Sequence, residues 1–199
     1  MTRLATIGCG EHATGTHGPS LALYAERHPG TELVACCDLD PGKAERYRAR
    51  FGFARAYTDL RRMLDTERPD AVSLVAPVER TCELACLIFE WGFPLLVEKP
   101  PGRTVAEVDR MIAAAGGVAH QVAFNRRFAP LLRELKRDVK GDEWTDSRLP
   151  FVQGGFFGEY VAFLDALREG RAPSPSLKEA RQSVAVAECI RERKGEYRA

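Results

Sequence analysis

Arg3-Leu4-Ala5-Thr6-Ile7-Gly8-Cys9-Gly10-Glu11-His12-Ala13 opens the chain with an apolar run that breaks into glycines. The run from Arg3 to Gly8 reads as a short strand, and a helix follows near Pro19 to Arg27, with a proline in its opening turn where a missing N–H costs nothing. The spacing Gly8-x-Gly10-x-x-Ala13 between them has a physical reading. The first glycine permits a tight turn, the second lets the backbone come close to a phosphate, and a small third residue lets helix and strand pack closely. The N–H groups of Glu11, His12 and Ala13 then stand at a helix start, where unpaired donors attract anions.

Outward from this loop the chain alternates strand and helix. Glu32–Cys37, Ala71–Ala76, Pro94–Glu98 and Val118–Phe124 read as four further strands. The segment Ala71–Ala76 (AVSLVA) is apolar throughout, as a strand covered on both faces should be. Helices are expected from Pro41 to about Arg50 behind an Asp40 cap, over Thr58–Asp65, over Glu79–Trp91, from a Thr104-x-x-Glu107 capping box to about Ala115, and over Pro130–Val139. Such alternation predicts an α/β fold, a Rossmann doubly wound parallel sheet. The spacing of Phe157, Val161, Leu164 and Leu167 predicts one more helix. A Ser176-x-x-Glu179 box, with Leu177, Ala180, Val184, Ala187 and Ile190 on one face, predicts another. These two C-terminal helices are expected to pack on the Rossmann core. The division is residues 1–141 for the dinucleotide-binding domain, 142–154 for a linker and 155–199 for the added helices.

Asp38, just past the second strand, completes the pattern of a dinucleotide site. Its carboxylate would bond the adenosine ribose hydroxyls and repel a 2′-phosphate, so NAD is favoured and NADP less so. His12 and His17, beside the loop, are read as spectators. The remaining bulk properties exclude other classes. A formal net charge of +1 draws in neither nucleic acid nor an anionic membrane. No apolar run approaches the roughly 20 residues of a membrane span, and the N-terminus enters a strand with no leader, so a cytoplasmic protein is expected. The six cysteines show no zinc spacing, and no metal site is expected; Cys82 and Cys86, four apart on a helix, read as small buried hydrophobes.

Glu98-Lys99-Pro100, at the end of the fourth strand, resembles the Glu-Lys-Pro motif of the Gfo/Idh/MocA oxidoreductases (glucose-fructose oxidoreductase, inositol dehydrogenase and their kin). IGCGEHATGTHGP, ELVACCDLD, VAPVERTCELA and Phe124-Asn125-Arg126-Arg127-Phe128 resemble the same family, in family order, as does the tail from Gly155 to Arg193. The resemblance implies roles. Lys99 would be a buried ammonium beside the nicotinamide and the substrate hydroxyl, and the catalytic group. Glu98 would lie near the nicotinamide ribose, Ala76-Pro77 would pass under the cofactor, and Asn125-Arg126 would border the cleft. It also implies a small-molecule substrate, a sugar, cyclitol or similar hydroxy/keto compound.

The departures are as specific. Such enzymes carry a large antiparallel sheet domain between the Asn-Arg-Arg segment and the closing helices, and it supplies most of the substrate pocket and an acid/base histidine. Here residues 142–154 stand in that place, no histidine follows His120, and the position after the third strand that often holds histidine is Thr81. Three functions stay open: an oxidoreductase using Lys99 as proton donor or acceptor, a catalytically silent NAD(H)-binding sensor or partner subunit, and a half that docks on another chain. A homodimer is expected, because the face usually covered by the sheet would be apolar.

Overall fold

The computed structural model describes residues 2–135 and 147–192. Strands β1 (Thr2–Ile7), β2 (Thr31–Cys37), β3 (Arg55–Tyr57), β4 (Ala71–Leu74), β5 (Leu95–Glu98) and β6 (His120–Ala123) form one sheet in the order β3-β2-β1-β4-β5-β6. Every neighbouring pair is parallel. This is the doubly wound order, in which the winding reverses between β1 and β4 and ligands bind outside the carboxyl ends of the strands. β4 and β5 are buried at every residue, which accounts for their unbroken apolar runs.

Helices α1 (Gly18–Arg27) and α2 (Pro41–Phe51) lie on one face, and α3 (Leu60–Glu67), α4 (Val78–Glu90) and α5 (Val105–Ala115) on the other. Asp40 caps α2 by accepting from the N–H groups of Gly42 and Lys43. The Thr104 box is only half built: Thr104 accepts from the Glu107 N–H, but Glu107 turns its carboxylate to the N–H of Arg103. β3 was not expected from the sequence. Its three residues sit at the sheet edge with Arg55 outward, and pairing with Ala35–Cys37 alone makes them a strand.

The C-terminal helices divide between the faces. α8 (Phe156–Arg168) lies beside α1 and buries Phe157, Tyr160, Phe163 and Leu164 among Leu4, Leu21 and Tyr24. α9 (Leu177–Arg191) lies on α5 and buries Leu177, Ala180 and Val184. The predicted apolar face of α9 is only half used, since Ala187 is exposed and Ile190 is 71% exposed. Polar contacts along the helix hold it as well. Arg181 pairs with Asp109, and the Val105 N–H, at the start of α5, donates to Glu188. Between α8 and α9, Pro175 O accepts from the Val122 N–H, which covers the open edge of β6. The Ser176–Glu179 capping box is complete.

Two boundaries move. The helix predicted over Pro130–Val139 is α6, described over Pro130–Leu135, and its remainder lies outside the described residues. The predicted linker contains a helical turn, α7 (Pro150–Gln153), while residues 142–146 lie outside the described residues. Among the described residues, no helix is long and apolar enough to cross a membrane.

Candidate cofactor and substrate site

Four strand ends lie along one edge of the sheet: Gly8 after β1, Ala76-Pro77 after β4, Glu98-Lys99 closing β5, and Asn125-Arg126 after β6. Gly8 has φ +93°, and a Cβ there would fall 1.9 Å from the carbonyl oxygen of Val75, so the turn needs glycine on both counts. A Cβ built on Gly10 meets nothing within 4 Å, so the backbone at that point faces open space. The bond from the Thr14 N–H to Gly10 O opens the helix and leaves the preceding N–H groups at its start. This is the cradle a pyrophosphate requires, and the loop fits a dinucleotide.

Asp38 ties the loop to the second strand. Its Oδ2 accepts from the Cys9 N–H at 2.8 Å and its Oδ1 from the Asp40 N–H at 3.0 Å. The helix cap is Asp40, so Asp38 is fixed at the end of β2 with lone pairs left for hydroxyl donors.

Between Gly10 and α1 the helix departs from α geometry over one turn. Ala13–His17 form a π turn, closed by the Gly18 N–H donating to Ala13 O. On an α-helix, residues five apart lie about 140° around the axis from one another. The i→i+5 bonding of a π turn brings them to the same side, and His12 and His17 therefore meet. Their ring centroids are 5.3 Å apart, and both Nε2 atoms lie 2.9 Å from Oε1 of Glu98.

An ionised carboxylate only accepts, so each Nε2 carries a proton toward it. His17 is fully buried; its Nδ1 is 2.8 Å from the Tyr160 hydroxyl, which is 2.5 Å from Ser73 Oγ. Oε2 of Glu98 accepts from the Lys99 N–H at 2.6 Å. Burial pushes the Glu98 carboxyl pKa up, but donation from His17 and then His12 outweighs it and holds the group below the usual range. Burial lowers the pKa of His17 against the pull of Glu98, so the imidazole stays neutral and acts as a fixed donor. The sequence reading took both histidines for spectators beyond the loop backbone; here their side chains hold Glu98.

Lys99 is exposed, where the resemblance implied a buried ammonium. The reason is local: only the strand residues before it are covered by helices, and the chain leaves the sheet at Lys99. It borders a cleft of about 480 Å³ with Gly15, Thr16, Asn125, Arg126 and Phe156. The floor of this cleft is closely packed. Asn125 is buried and donates to Gly154 O at 2.8 Å, and Gly155 packs against the Asn125 carbonyl. Ala76 is half-buried and Pro77 exposed at the start of α4, while Thr81 donates to Pro77 O and presents no proton-transfer group. One further acid was missed by sequence reasoning. Glu159 on α8 is buried, neither carboxyl oxygen has a hydrogen-bond partner among the described residues, and burial, then the nearby Glu98 charge, raises its pKa well above the usual range.

A glycine loop, a fixed acid after the second strand and a lysine at the carboxyl edge define an NAD-binding Rossmann protein of the oxidoreductase type. The comparisons agree. Residues 2–125 match the family described as an oxidoreductase family with an NAD-binding Rossmann fold, and the chain belongs to that Gfo/Idh/MocA family. It is 31% identical over 174 residues to D-glucoside 3-dehydrogenase of Escherichia coli, covering 86% of this chain and 45% of that enzyme. The myo-inositol 2-dehydrogenase structure from Lactobacillus plantarum superposes with a TM-score of 0.61 at 31% identity, over 68% of this chain and 40% of that one. The chain thus spans less than half the length of these relatives. A dehydrogenase structure from Chromobacterium violaceum matches end to end, 98% of each chain with a TM-score of 0.75; at 17% identity the likeness is one of fold.

Proposed function

We propose that this chain is a nicotinamide-dependent oxidoreductase that prefers NAD over NADP and acts on a small hydroxy or keto compound such as a sugar or cyclitol. The observation that carries the reading is the position of Lys99, at the carboxyl end of β5, where it borders the cleft of about 480 Å³. The bound dinucleotide supplies or accepts a hydride. The chain's part is to hold it and to move a proton. The cofactor contacts are Gly8, Gly10, the N–H groups of Glu11, His12 and Ala13, Asp38, Ala76, Pro77, Glu98, Lys99, Asn125 and Arg126. Lys99 gives the proton to, or takes it from, the substrate oxygen. The strand-end residues Asn125 and Arg126, with Phe156 of α8, line the cleft beside Lys99.

The test is calorimetric titration with NADH and NADPH, then a panel of sugars and cyclitols assayed with the wild type and Lys99→Met. Micromolar NADH binding, worth about 8 kcal/mol, with turnover lost in Lys99→Met and affinity nearly intact, is the expected result. Binding without turnover on the whole panel favours the second reading, a silent NAD(H)-binding subunit. Thr81 supports that alternative, since no acid/base histidine stands there. We further propose a homodimer that covers the exposed Leu131, Leu132, Leu135 and Leu149; a monomer by light scattering at high concentration removes that part.

A further inference from the structure

We propose that His12, His17 and Glu98 bind a divalent transition-metal cation of the zinc, cobalt or iron(II) kind. The three ligand atoms lie within 4.8 Å of one another, each Nε2 being 2.9 Å from Glu98 Oε1. Tetrahedral metal–nitrogen and metal–oxygen bonds of about 2.0–2.2 Å place such atoms about 3.4 Å apart. The cation therefore takes the place of two N–H protons once each ring draws back from Oε1 by roughly half an ångström. Two imidazoles and a carboxylate suit these metals rather than magnesium or calcium.

The atoms behind the ligands are fixed as well, which a ligand set needs to hold its orientation. Glu98 is anchored through Oε2 by the Lys99 N–H. His17 is anchored through Nδ1 by Tyr160, and Tyr160 by Ser73. That hydroxyl pair can run in either direction. With Nε2 protonated, Ser73 donates to Tyr160 and Tyr160 to Nδ1. With Nε2 on a metal, the proton sits on Nδ1, donates to Tyr160, and Tyr160 donates to Ser73. His17 thus changes tautomer without gaining or losing a proton. His12 is half exposed, so its Nδ1 takes its proton toward water, and a cation enters from that side and keeps open positions for water or an oxygen ligand. The π turn is what gives the two histidines a common face.

The experiment uses the full chain, freed of metal with a chelator and without dinucleotide, so its outcome is independent of cofactor binding. Zinc is titrated calorimetrically, and cobalt(II) is followed by its visible absorption, in wild type, His12→Ala and Glu98→Gln. One equivalent with micromolar or tighter affinity, weakened about 100-fold or more in each variant at unchanged circular dichroism, supports the site. No stoichiometric binding in the wild type, affinity unchanged in His12→Ala, or a cobalt–thiolate band placing the ion on cysteine overturns it.

Discussion

Tyr160 reaches across from α8 to His17, its hydroxyl 2.8 Å from Nδ1, so a C-terminal helix fixes the ring that holds Glu98 at the end of β5. The contact joins residues 143 positions apart in a fully buried place. Tyr160→Phe removes the hydroxyl and leaves His17 Nδ1 and Ser73 Oγ facing each other across a gap. A buried donor or acceptor left unmet costs about 1–3 kcal/mol. We expect the urea midpoint to fall accordingly. An unchanged midpoint would show that the hydroxyl contributes nothing.

The fold and the outer site were legible because local chemistry dictates them. Glycine at residues 8 and 10, the Asp40 cap and the apolar β4 each declare themselves within a few residues. The inner site was not, for two physical reasons. A helical period of 3.6 places His12 and His17 on different faces, and the π turn that reunites them leaves no mark in hydrophobic periodicity. Tyr160 and Glu159 lie on a helix whose apolar spacing placed Phe157 and Leu164 in the core, with Val161 and Leu167 half-buried, but spacing says nothing of which polar groups a buried helix meets. A second histidine five positions after His12, in a loop whose glycines already marked a ligand site, was the available signal.

Asp38 has a double duty, and its substitution should show both parts. Asp38→Ala leaves the Cys9 and Asp40 N–H groups without their acceptor and removes the charge that disfavours a 2′-phosphate. We expect NADH affinity to fall several-fold while NADPH affinity falls less, so that the ratio of the two narrows. Titration of both cofactors into wild type and variant measures it. An equal loss for both would assign Asp38 to loop support alone.

Gly155 tests whether α8 is seated by contact with the strand-end loop. It has φ +86°, and a Cβ would fall 2.0 Å from Asn125 O and 2.6 Å from the Ala129 N. Gly155→Ala combines left-handed strain of about 1–2 kcal/mol with overpacking of about 1–3 kcal/mol. For a chain of this size, that lowers the melting temperature by about 5–15 °C. It should also disturb the cleft beside Asn125, weakening substrate more than NADH. A melting temperature within a degree of wild type would mean α8 is free to shift.

Glu159 gives the stability a pH dependence of unusual sign for a carboxylate. Its pKa in the folded protein is raised, by burial first and by the Glu98 charge second, against an ordinary value of about 4.3 in the unfolded chain. The folded state therefore binds this proton more tightly. The contribution is complete below pH about 4.3 and is lost progressively as pH rises toward the folded value, because the unfolded chain ionises first. Glu98 runs the other way: its folded pKa is lowered, so its contribution is present above the ordinary value and is lost as pH falls through the folded one. Glu159→Gln keeps the shape and removes only the titration. Urea midpoints measured from pH 5 to 9 should decline in the wild type and decline less in Glu159→Gln, with the two curves diverging as pH rises. Parallel curves would show that Glu159 titrates normally and meets water in the folded protein.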